Sequence, residues 1–180
     1  MDKESRSKGA LSMQLTKKVE QAICIIVLLA TQESSAPLAS DEISKRLGVS
    51  PSYMKKITRK LVVQGIAVSV SGNNGGVSLA KSVDDISMLD IIEAMEGPIQ
   101  MYPDTGLISL AFHDGKYAKR GQNILRNVFA QGDNLLIEYF SKVSAGDLLK
   151  EGFGVENLPT LNWNQESLSD VLPWEQGDDK

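Results

Sequence analysis

A chain of 180 residues with 42% hydrophobic and 23% charged side chains has the balance of a soluble globular protein, with room for one domain plus an extended element. One cysteine excludes an intrachain disulfide and suits a reducing cytoplasm, the apolar run Ala22–Ala30 is too short to span a membrane, and the polar start Met1–Lys8 offers no secretory signal. The net charge of −4 excludes a uniformly basic nucleic-acid binder, yet residues 41–81 hold seven Lys/Arg against two carboxylates and residues 151–180 hold seven carboxylates against one lysine. A local basic patch suffices to bind phosphate on an acidic molecule.

Residues 1–12 are polar and small, and predict a disordered N-terminus. From Leu15, the spacing of Val19, Ala22, Ile23, Ile26, Val27 and Ala30 predicts an amphipathic helix that Ser34, Ser35 and Pro37 end. Ser40 reads as the N-cap of a short helix with Asp41 and Glu42 in its first turn, Ile43 and Leu47 inward, and Gly48 as its stop. Ser50-Pro51 opens the next helix, with proline at the first helical position. Met54, Ile57, Leu61 and Val62 form its apolar stripe, Ser52, Lys55, Lys56, Arg59 and Lys60 its other side, and Gly65 its end. Ile66, Val68 and Val70 alternate with Ala67 and Ser69. Gly72-Asn73-Asn74-Gly75-Gly76 then gives a hairpin turn signal before Val77-Ser78-Leu79-Ala80. Ser87 and Asp90 resemble a capping box for a helix through Met95, closed by Gly97-Pro98.

Residues 98–117, with Pro103, Gly106, Gly115 and the single histidine His113, predict an irregular loop. From Ala118 to Val143 the apolar positions keep helical spacing, which at 1.5 Å per residue predicts a helix about 39 Å long. Its wide apolar face needs a partner, and Leu125, Val128, Phe129, Leu136, Tyr139 and Phe140 are the expected dimerisation residues. Ser144–Leu149 reads as a short helix. Residues 150–180, acidic and holding Pro159 and Pro173, predict a flexible tail. The expected domains are therefore a DNA-binding unit at 13–97, a loop at 98–117, a dimerisation region at 118–149 and the tail. The fold class is mainly α with a small β-hairpin wing: a winged helix-turn-helix plus a long dimerisation helix.

The order of these elements carries the function. A helix that buries one face and offers Lys, Arg and small hydroxyls on the other fits a DNA major groove. A glycine-rich hairpin beside it reaches phosphate or a minor groove at close range. The expected DNA-binding residues are Ser50, Ser52, Tyr53, Lys55, Lys56, Arg59 and Lys60 on the helix, and Ser71, Asn73 and Asn74 on the wing. A solvated, functionally idle helix face is the plainer reading. It explains neither the cap nor the wing that accompany the basic residues.

At Met13-Gln14-Leu15-Thr16, Val49-Ser50-Pro51-Ser52-Tyr53-Met54, Leu61-Val62-Val63-Gln64-Gly65, Gly72–Ala80, Asp90-Ile91-Ile92-Glu93-Ala94 and Glu96-Gly97 the sequence resembles the Rrf-two family of bacterial regulators, which includes the iron–sulfur cluster regulator. The resemblance implies that helix 118–143 pairs with its copy, and that helix 50–64 and wing 69–76 contact DNA. Two features depart from the family pattern. Iron–sulfur members carry three clustered cysteines after the Glu-Gly motif, and residues 98–123 here carry none; members also often have arginine in the wing, where this chain has Ser71. No cofactor is therefore expected, an iron–sulfur cluster least of all. Cys24, among isoleucines, reads as an inert core residue. Glu20 one turn earlier makes the pair a minor metal-ligand candidate, an arrangement similar to that of an unusual cluster-binding subgroup.

No nucleophile–base pair, phosphate loop or metal-ligand spacing supports an enzyme. The expected function is a DNA-binding transcriptional regulator, a repressor before an activator. It would act as a homodimer on a near-palindromic operator, with double-stranded DNA and itself as partners and an unidentified small-molecule effector as a further candidate. A winged-helix protein–protein interaction module, or a ligand or metal sensor without DNA binding, is the alternative.

Overall fold

Seven α-helices, a single 3-10 turn (Val83–Asp85) and one hairpin are the elements of the described part of the chain, residues 13–33, 36–72, 75–113 and 115–165 of a computed structural model. The expectations for residues 1–12, for Asn73 and Asn74, and for residues 166–180 lie outside them. Helix α1 (Lys17–Thr31) buries Val19, Ala22, Ile25, Ile26 and Leu29 along one stripe. Leu15 precedes it and stays exposed. The Thr16 hydroxyl and backbone N–H both donate to the carboxylate of Glu96, which ties the start of α1 to the end of α4 (Met88–Glu96).

Helix α2 (Ser40–Arg46) starts at Ser40 itself, with Ala39 in the cap position, so the serine serves the first turn instead of capping it. After Gly48, whose φ of 61° reverses the chain, Ser50 caps α3 (Pro51–Val63) by accepting the Tyr53 N–H at 3.3 Å. Met54, Ile57 and Leu61 are buried beneath α3, where it meets α1, α2 and α4.

Strands β1 (Ala67–Val70) and β2 (Gly76–Leu79) pair antiparallel with Ser69 opposite Val77 and Val70 opposite Gly76. The pairing corrects the predicted alternation by one residue. Ala67 and Ser69 share a face with Val77 and Leu79, whereas Val68 and Val70 are exposed. Ile66 is already buried in the turn before β1, so its periodicity did not continue into the strand. The wing is fastened by Leu38, fully buried between α1 and α2, which exchanges backbone hydrogen bonds with Val77 at 3.0 and 2.9 Å. Gly76 is required there, because a Cβ would lie 2.2 Å from the Leu38 carbonyl oxygen.

Two expectations about irregular chain need correction. Residues 98–117 contain α5 (Leu107–Phe112), and the long helix α6 (Gly115–Lys142) begins three residues earlier than its apolar spacing suggested. A six-residue apolar run is too short to show a period, and Gly106 and His113, both with positive φ, bound it. The loop before it is pinned to α6 as well: Asp104 accepts from Arg126 Nε at 2.7 Å and from Gln122 at 2.8 Å, and the Met101 N–H donates to Asp133 at 3.0 Å.

The second correction concerns the tail. Helix α7 (Ala145–Phe153), capped by Ser144, extends past residue 150. Beyond it Leu161 and Trp163 are buried, with Leu161 bridged in parallel to Gln32. Acidic composition and prolines concealed two apolar anchors.

The predicted capping box is present: the Asp90 N–H donates to Ser87 Oγ at 3.1 Å, and the Ser87 N–H donates to Asp90 Oδ2 at 3.0 Å. Burial pushes the Asp90 carboxyl up, but the Ser87 N–H and Lys81 outweigh it and hold the group below the ordinary carboxylate range. A depressed folded pKa stabilises the fold above the unfolded value of about 3.9 and is lost as pH falls through the folded one. Asp90→Asn is expected to lower unfolding stability in urea by about 1 kcal/mol at neutral pH. The difference from the parent should shrink once acid protonates Asp90.

Candidate nucleic-acid interface

The outer side of α3 is where charge and shape coincide. Burial of Met54, Ile57, Thr58 and Leu61 turns Ser52, Lys55, Lys56, Arg59 and Lys60 away from the core. Between this side, the start of α2 and the wing lies a cleft of about 660 Å³. Lys55, Arg59 and Val62 line it from α3, Ser40 and Asp41 from α2, and Ser69, Val70, Gly72, Gly75 and Gly76 from the wing. Three glycines keep the wing wall low. A Cβ on Gly75 would stand 2.4 Å from the Val70 carbonyl oxygen, so the tight wing end excludes larger residues.

The predicted DNA-facing residues separate into two groups. Lys55 and Arg59 face the wing across the cleft, and Lys56 and Ser52 are exposed on the same helix. Among the described residues no carboxylate pairs with Lys55, Lys56 or Arg59. Ser71 is exposed beside Gly72, and Ser50 works as the cap of α3 with Ser52 Oγ at 3.2 Å. By contrast, the half-buried Tyr53 donates its hydroxyl to Gln21 on α1 at 3.0 Å. Lys60 Nζ donates to the Met95 carbonyl at 2.7 Å, at the C-terminal end of α4 where a cation is favoured. Other members of the basic count are also engaged. Arg46 pairs with Glu42 at 2.8 Å and Lys81 with Asp90 at 3.2 Å. Ser40, Asp41 and Ser69 were missed as cleft residues. The acidic start of α2 was read only as helix capping, and Ser69, though inside the wing 69–76 that the resemblance implies, was not singled out.

Helix α6 presents a second surface. Of its 28 residues only Ala118 and Gln122 are buried. Leu125, Val128, Phe129 and Tyr139 are exposed, joined by Ile124, Leu135 and, from α5, Leu107, Leu110 and Phe112. Phe129 stacks on Tyr102 with ring centres 5.2 Å apart. Leu136 and Phe140 differ from the prediction: both are half-buried and line an apolar groove of about 440 Å³ with Leu15, Ile92 and Ile99. They sit on the side of α6 that packs on α4. Helical spacing shows that a face is apolar, not which neighbour covers it.

Cys24 is exposed, not in the core, because Ile25 and Ile26 take the buried stripe of α1. Burial first, and the charge of Glu20 second, push its thiol above the ordinary value.

A family model described as Rrf2, iron-dependent transcriptional regulator, matches residues 15–151. YwgB of Bacillus subtilis (strain 168), named for an HTH-type transcriptional regulator, is 42% identical over 100 residues, a match covering 56% of this chain and 64% of that protein, just under two thirds. YffB of Lactococcus lactis subsp. lactis (strain IL1403), named in the same way, is 32% identical over 139 residues, 77% of this chain and 88% of that protein. Among solved structures, CymR, the global cysteine regulator of B. subtilis, superposes with a TM-score of 0.55 at 23% identity, covering 76% of this chain and 96% of CymR. That likeness concerns the winged-helix fold.

The family description names iron, and iron–sulfur ligation needs thiolates or a few substitutes placed together. Cys24 is the single thiol of the chain, and among the described residues no three His, Cys, Asp or Glu side chains gather as ligands. The donor set does not fit a cluster. The match spans from before α1 into α7, and the chain belongs to the Rrf2 family of transcriptional regulators.

Proposed function

We propose that the chain binds double-stranded DNA sequence-specifically as a homodimer and acts in the cytoplasm as a repressor on a near-palindromic operator. The observation that carries this reading is the cleft in which Lys55 and Arg59 of α3 face the glycine wall of the wing. The Leu38–Val77 backbone pair fastens the wing to the segment before α2, beside the same cleft. Among the described residues no helix is long and apolar enough to cross a membrane. The exposed side of α6 supports the homodimer. Covering Leu125, Val128 and Leu135 with a twofold copy gains roughly 25 cal/mol per Å² of apolar area, and a C2 contact uses one surface twice.

Lys55→Ala or Arg59→Ala is expected to weaken binding to a selected operator by about 1–3 kcal/mol without loss of folding. Fluorescence anisotropy checks this, and unchanged affinity in both variants refutes the α3 assignment. Lys56→Ala should lower affinity for all sequences alike and reduce the salt slope by about one. Lys60→Ala should act weakly on DNA, since its ammonium is held by Met95.

Leu125→Glu with Val128→Glu is expected to give a folded monomer that loses operator affinity, read by sedimentation and circular dichroism. A parent chain that is monomeric at micromolar concentration contradicts the homodimer.

Protein purified without air is expected to lack iron–sulfur absorbance. Stoichiometric iron and sulfide would overturn that expectation and promote Glu20 and Cys24 to ligands.

A further inference from the structure

Past α7 the chain returns to the DNA-facing half of the molecule. Leu161 exchanges backbone hydrogen bonds with Thr31 and Glu33, both at 2.8 Å. Trp163 is 3% exposed, with its indole N–H on the Thr31 hydroxyl at 2.8 Å and its backbone N–H on Gln32 Oε1 at 3.0 Å. Arg46 of α2 lies 4.7 Å over the indole ring and donates to the Trp163 carbonyl at 2.8 Å. Asn164 then spans the turn into α2, accepting from the Ala39 N–H at 3.0 Å and donating to the Pro37 carbonyl at 3.3 Å. Ala39, Ser40 and Asp41 border the cleft. The anchored segment therefore delivers the chain to the rim of the cleft.

Beyond the anchor the sequence is acidic. Residues 166–180 carry Glu166, Asp170, Glu175, Asp178 and Asp179 against Lys180, a net −4 that equals the charge of the whole chain. Without them the protein is neutral overall. Fifteen residues reach at most about 50 Å, more than twice the roughly 20 Å length of α3. Lys55, Lys56 and Arg59 lie within that reach, and a short tether holds its end at an effective concentration on the order of millimolar.

We propose that residues 166–180 are a tethered acidic competitor of DNA for the cleft between α3 and the wing, held at its rim by the Leu161–Asn164 anchor. The proposal rests on the DNA-binding reading of that cleft. A few exposed ion pairs are weak and salt-screened, so the tail lowers affinity for any duplex. A specific operator, with base contacts in addition, displaces it. The factor is the same for every duplex, so occupancy of loosely bound phosphate sites is lost first while a tightly bound operator stays occupied.

The test compares the full chain with a variant carrying Glu166→Gln, Asp170→Asn, Glu175→Gln, Asp178→Asn and Asp179→Asn, which keeps the anchor and the length. Carbodiimide cross-linking followed by mass spectrometry is expected to join Lys55 or Lys56 of the parent to tail carboxylates, and excess random-sequence duplex should suppress those links. The variant should bind that duplex roughly tenfold tighter at ~50 mM salt, with the gain fading near ~0.3 M. Equal duplex affinities would overturn the proposal. So would a gain in affinity with no link to Lys55 or Lys56, which is long-range repulsion between tail and DNA. Links in the parent with no duplex binding by either protein would refute the DNA reading while leaving the tail contact in place, so the two failures are distinct.

Discussion

The burial of one face of α3 governs the rest of the molecule. Met54, Ile57 and Leu61 are removed from water almost completely, and at roughly 1.5–3 kcal/mol for each such side chain their burial fixes the rotation of the helix about its axis. Once that rotation is set, Lys55, Lys56 and Arg59 point outward by helical geometry alone. The wing is positioned from the same core. Leu38 packs beneath it and pairs with Val77, and the absence of a side chain on Gly76 lets the two backbones meet. The cleft is a by-product of how the core packs.

Helix α6 has two apolar sides. Leu136 and Phe140 face α4 and the segment before α1, whereas Leu125, Val128 and Leu135 face outward. A homodimer built on the outward side would connect the pairing of two chains directly to the packing of α4, whose C-terminal end, beside the same groove, binds Lys60 of α3 through the Met95 carbonyl. Changes at the apolar groove would in that way reach the DNA-facing helix through one rigid element.

Local signals were the most legible. Ser50-Pro51, the Ser87/Asp90 box and the glycines after α2 and α3 each act within a few residues, and the structure contains all of them. Long-range partners were not legible. That Tyr53 bonds to Gln21, that Lys60 caps α4, or that Trp163 inserts beside Thr31 depends on residues 32, 35 and 132 positions away. Composition misled at the tail, where two buried apolar side chains outweigh an acidic average, and at Cys24, where an apolar neighbourhood in sequence lies on the outside of the helix. The wing shows how short strands defeat periodicity, since four residues fit either phase and the Leu38 bridge decides between them.

The central claim is that α3 reads DNA from a twofold pair of chains. Hydroxyl-radical footprinting on a duplex selected from a random pool tests it most directly. The account predicts two symmetric protected patches with centres about one helical turn, ~34 Å, apart. A single protected patch, or protection spread evenly without regard to sequence, would contradict it.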